Sequence, residues 1–139
     1  MLHNYLTRLY PGIFSLAVFI AILWLTLAPH PLPETEILLF PHFDKVVHAL
    51  MFGGQVFALF FDRALWQLRK NDNESRYIGC ENLWVALSVV VFGGCIELLQ
   101  TFMALGRGGD VFDFLADIIG VVVFIFVSPK IVDWLLNQR

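Results

Sequence analysis

Nine residues carry the chemistry this sequence can offer, and their spacing matters as much as their type: Asp44, Lys45 and His48; Glu97 and Gln100; then Arg107, Asp110, Asp113 and Asp117. Residues three or four apart share one face of a helix. Asp44 therefore stacks with His48, Glu97 with Gln100, and Asp110, Asp113, Asp117 and Gly120 form one continuous stripe. Histidine titrates near neutrality, so His48 suits a general base, with Glu97 or Asp113 as the acid. Arg107 offers a planar fork for an anionic group. Asp44, Lys45, Gln100, Asp110 and Asp117 complete the expected ligand-binding set. No serine or cysteine stands among these residues, which argues against covalent acyl transfer. Carboxylates beside a histidine form an oxygen-rich set that suits magnesium, calcium or manganese better than zinc. A hydrogen-bonded network accounts for the same residues, and no H-E-x-x-H pattern is present. The expectation is therefore no metal and no cofactor, with a divalent cation as the alternative.

The elements that hold these residues are apolar. In 139 residues, 58% are hydrophobic and the mean hydropathy is +0.73, above the roughly half expected of a soluble domain. The segments at about 9–28, 46–62, 82–105 and 111–128 each read as a membrane span. The fold class expected is thus all-α, a single domain over residues 1–139 with four transmembrane helices in an antiparallel bundle. Arg8 before the first segment raises a signal peptide as a rival, but no A-x-A-like site follows, so the segment is expected to be retained. Pro129 is expected to stop the fourth helix. Of nine Lys and Arg, seven fall on one side of this arrangement: Arg8, Arg63, Arg69, Lys70, Arg76, Lys130 and Arg139. Basic residues are retained in the cytoplasm, which places both termini there and leaves residues 29–45 and 106–110 as outer loops, with 63–81 as the cytoplasmic loop.

This topology brings the chemical residues to the outer ends of three spans. A carboxylate at the bilayer centre costs about 2.5–3.5 kcal/mol even on the lenient insertion scale, so the stripes should face one another and not lipid. Lys45 and Arg107 oppose five carboxylates, leaving an acidic cluster that must share protons, charge His48 or attract a cation.

Other features have plainer readings. His3, His30 and His42 lie at the terminus or in the outer connection, where solvent suffices. Cys80 and Cys95 are fifteen residues apart in one helical segment, roughly 22 Å at helical rise and beyond disulfide reach. The tripeptides Phe52-Gly53-Gly54 and Phe92-Gly93-Gly94 mark close helix packing. The basic residues are scattered, with no footprint for a nucleic acid.

Asp44-Lys45-x-x-His48, Glu97-x-x-Gln100, Arg107, Asp110, Asp113 and Ala116-Asp117-x-x-Gly120 together resemble the VanZ-like family over about residues 44–120. Asparagine is usual in that family where this chain has Asp117, a change that keeps shape and adds charge. The resemblance implies a multi-pass inner-membrane protein related to one associated with low-level resistance to the glycopeptide teicoplanin. The function expected is recognition of an envelope lipid, an envelope precursor or a glycopeptide-like ligand. A membrane-embedded enzyme acting on a lipid-linked substrate and a small homo-oligomeric transporter are the alternatives.

Overall fold

The computed structural model describes residues 9–28, 42–70, 81–103 and 109–136. Among these the protein is all-helical: α1 (Ile13–Leu27), α2 (Phe43–Lys70), α3 (Glu81–Met103) and α4 (Val111–Leu136). Three helices, α2, α3 and α4, are long and apolar enough to cross a membrane. At 15 residues, α1 is shorter, about 22 Å against the roughly 30 Å of a hydrocarbon core.

The largest interface joins α2 to α4, with α1 lying against α2 and α3 against α4. Its closeness depends on Gly120, where a Cβ would run into the backbone carbonyl of Ala49. Only a residue without a side chain lets the two backbones approach so far. Gly53, in the first Phe-Gly-Gly, packs under the Phe124 ring. In the second, a Cβ on Gly93 would lie 3.1 Å from Asp117 and 3.2 Å from Phe52. Both tripeptides thus serve helix packing, and the Phe52 and Phe92 rings meet at 5.7 Å between centroids.

Polar atoms and aromatic rings fasten α1. Asp62 of α2 accepts a 2.7 Å hydrogen bond from the backbone N–H of Ser15, one of the amides that a helix start leaves without an internal partner. Gln55 donates to the Ser15 carbonyl at 3.2 Å. Phe14 meets Phe61 edge-on at 5.0 Å, and Phe19 stacks on Phe92 at 4.6 Å. At the other end of α1, Gln100 of α3 donates to the Thr26 carbonyl at 3.0 Å.

α2 continues past the apolar span ending at residue 62 to Lys70, as the amphipathic spacing of Arg63, Trp66 and Arg69 predicts. One helix limit differs from the sequence expectation. α4 runs through Pro129 to Leu136, so Pro129 is not a stop. Proline removes one N–H and one intrahelical bond, here to Ile125, and within a membrane protein neighbouring helices hold such a helix together.

A few polar groups are buried within an apolar core, and large apolar side chains cover the outside. Asp117 and Ser128 are fully buried and Asp62 and Gln55 nearly so, whereas Phe102 is 81% exposed and Phe126 71%. Apolar surface on this scale needs an apolar solvent. The protein is therefore a membrane protein with its polar groups turned inward.

Candidate functional site

The start of α2, the start of α4 and the last turns of α3 converge, and the chemical residues meet there in two tiers. The outer tier centres on Lys45, one turn into α2. Its ammonium lies 2.7 Å from Asp113, 2.9 Å from Asp110 and 3.0 Å from Asp44. The Lys45 ammonium, hydrogen-bonded to Asp110, holds that carboxyl below the ordinary aspartate value near 3.8. Asp110 also stabilises the start of α4: its backbone carbonyl accepts from Asp113 and Phe114, and its carboxylate from the Phe112 N–H. A carboxylate at a helix N-terminus is well placed against the positive end of the helix dipole.

The inner tier lies one turn deeper on both helices. His48 Nδ1 is 3.0 Å from Asp117 Oδ1, and His48 Nε2 is 4.0 Å from Asp113. Glu97 enters from α3, where its Oε2 accepts from the Asp110 N–H at 2.8 Å. The stripes fit because helical steps on α2, from Lys45 to His48 to Ala49, oppose those on α4, from Asp113 to Asp117 to Gly120. Two oxygens are left over, since Glu97 Oε1 and Asp117 Oδ2 are inaccessible and accept no hydrogen bond from the described residues. His48, Glu97 and Asp117 each present a metal-type ligand atom, all within 4.8 Å of one another.

An apolar groove of about 520 Å³ lies between α3 and α4 beside this cluster, lined by Val91, Leu98, Val111 and Phe114 and also by Glu97 and Asp110. Glu97 is thus shared between the polar tiers and the groove.

Not every residue singled out in the sequence reaches the cluster's interior. His48, Glu97, Asp113, Asp117, Lys45 and Asp110 come together. Asp44 sits at the rim, its side chain 60% exposed and bonded to its neighbour Lys45. Gln100 turns toward α1 and directs its amide donor to Thr26. Arg107 lies outside the described residues. Asp62 and Gln55 gain a structural role that the sequence pattern did not assign, because their partner, Ser15, is 47 and 40 residues away.

The chain matches no curated protein and no solved structure. A family model, VanZ/LLP1, matches residues 9–133, a stretch that takes in all of α1, α2 and α3, most of α4 and every member of both tiers. The protein is accordingly a membrane protein of the VanZ/LLP1 family.

Proposed function

We propose that the cluster and the adjoining groove form one binding site for an envelope lipid or glycopeptide-like ligand, in which the carboxylates receive an amine or hydroxyl group and the groove an apolar chain. One observation carries this reading: Glu97 and Asp110 belong to the polar cluster and also line the apolar groove. A site that joins a few convergent polar groups to an apolar cleft suits an amphiphile. Lys45 is already bonded to three carboxylates, so the group that complements the remaining negative charge is a cation or a hydroxyl donor. Arg107 is assigned the anionic part of the same ligand, which makes a zwitterionic headgroup the natural occupant.

The test is native mass spectrometry of delipidated protein offered ethanolamine, choline and glycerol phospholipids. The reading predicts preferential retention of the ethanolamine lipid, and loss of that preference in Glu97→Gln. Equal retention of all three, unchanged by the substitution, would contradict it.

A second reading is favoured by the 3.0 Å contact between His48 and Asp117, because a histidine oriented by a carboxylate is the arrangement of a general base. On a lipid-linked substrate, His48→Gln would abolish turnover while leaving lipid retention intact. Loss of both together would favour the binding reading.

The site is assigned to the outer face of the cytoplasmic (inner) membrane, with α1 as a fourth span and both termini in the cytoplasm. Seven of nine basic residues support this orientation. A fluorescent reporter at the C-terminus should then be active and a periplasmic phosphatase reporter silent; the reverse pattern would overturn the assignment. Occupancy of such a site by an envelope precursor would link the protein to glycopeptide susceptibility. Deleting or overexpressing the protein should therefore change the teicoplanin inhibitory concentration, and no change would break that link.

A further inference from the structure

We infer that His48, Glu97 and Asp117 form a site for a first-row divalent cation of the zinc or manganese type. The inference shares Glu97 with the site assigned to the groove but does not require that ligand, and its test uses the cations alone.

Three observations converge on it. The first is geometric: one ligand atom from each residue lies within 4.8 Å of the others, on three different helices. A cation at about 2.1 Å from each would need those atoms roughly 3 to 4 Å apart, so a contraction of about 1 Å by side-chain rotation closes the site.

The second is a buried polar atom without a partner. Asp117 is completely buried, yet among the described residues only Oδ1 is engaged, by His48, while Oδ2 accepts nothing. That oxygen faces Gly93, whose Cβ, if present, would lie 3.1 Å away, and Gly93 is one turn from Glu97 on α3. Glu97 likewise has one oxygen held by Asp110 and the other, Oε1, inaccessible and unbonded among the described residues. An inaccessible carboxylate oxygen that accepts nothing is costly, and a cation satisfies it directly.

The third is charge. Lys45 pairs with the outer carboxylates, two of which, Asp44 and Asp110, are substantially open to solvent. Among the described residues, no permanent cation is bonded to Glu97 or Asp117, so a divalent ion makes the inner tier neutral. The set is narrower and less oxygen-rich than the wider carboxylate group expected from the sequence: one imidazole with two carboxylates matches zinc or manganese, whereas calcium prefers an all-oxygen shell.

The experiment titrates zinc chloride and manganese chloride, separately, into chelator-treated full-length protein in nanodiscs. Calorimetry supplies affinity and stoichiometry, and elemental analysis after desalting confirms retention. One equivalent should bind the wild type. His48→Gln, Glu97→Gln and Asp117→Asn should each weaken binding by about tenfold or more. Asp117→Asn keeps the side-chain shape, and circular dichroism checks that each variant is folded. Asp133→Asn, at the far end of α4, and Cys95→Ser, on the groove wall, should bind as the wild type does. Failure of the wild type to bind either cation overturns the inference. So does one-equivalent binding that survives all three ligand substitutions, or that is lost with Cys95→Ser.

Discussion

Lys45 shows at single-residue scale how a membrane protein keeps charge. It sits between three carboxylates, but they are not equivalent, because Asp113 is 18% exposed and Asp44 60%. An exposed ion pair is screened and contributes little, whereas loss of a partly buried charged hydrogen bond is felt. Asp113→Asn should therefore destabilise the fold by about 1–2 kcal/mol, while Asp44→Asn stays within about 0.5 kcal/mol of wild type. Reversible unfolding in mixed micelles measures both. Helical spacing alone identified Asp113 and Asp117 as one stripe, since a 3-4 step is local information, whereas placing His48 beside them needed the span topology as well. It also grouped Asp44 with His48, although Asp44 turns to the rim, and it paired Gln100 with Glu97, although Gln100 bonds to α1. Periodicity reports which side chains share a helix face, and the partner opposite that face decides which of them are drawn inward.

Among the elements, the interface between α2 and α4 governs the site, because Gly120 lets Ala49 approach and thereby brings His48 opposite Asp117. Replacing glycine by alanine in a helix ordinarily gains about 0.5–1 kcal/mol. At Gly120 the sign should reverse, with Gly120→Ala costing about 1–3 kcal/mol, as expected of an overpacked contact. Gly54 has open space around its Cα, so Gly54→Ala should be neutral or slightly stabilising in the same micelle assay. Equal effects at both positions would argue against the close approach. The apolar segments were legible from hydropathy, and Gly120 from its place in the stripe. The ends of the helices were less so. Hydropathy reports where lipid ends, and only the amphipathic spacing of Arg63, Trp66 and Arg69 carried α2 beyond it. Pro129 was misleading as a stop because the cost of one missing N–H is modest when adjacent helices support the chain. The tie between Asp62 and the start of α1 was invisible, since no local pattern encodes a contact across 47 residues.

Across the whole molecule as described, an apolar core that includes Phe52, Phe60 and Leu65 carries the polar cluster beside a groove of about 520 Å³. The three long helices each bring part of the cluster: α2 brings Lys45 and His48, α3 brings Glu97, and α4 brings Asp113 and Asp117. Everything proposed for ligand or cation binding requires these groups to face one another across helices. The most direct measurement is a double-mutant cycle on His48→Ala and Asp117→Ala, read by reversible unfolding in mixed micelles. Facing, buried partners predict a coupling of about 1–3 kcal/mol between the two substitutions. Additivity within about 0.5 kcal/mol would mean that α2 and α4 do not present these residues to each other, and the shared site would be contradicted.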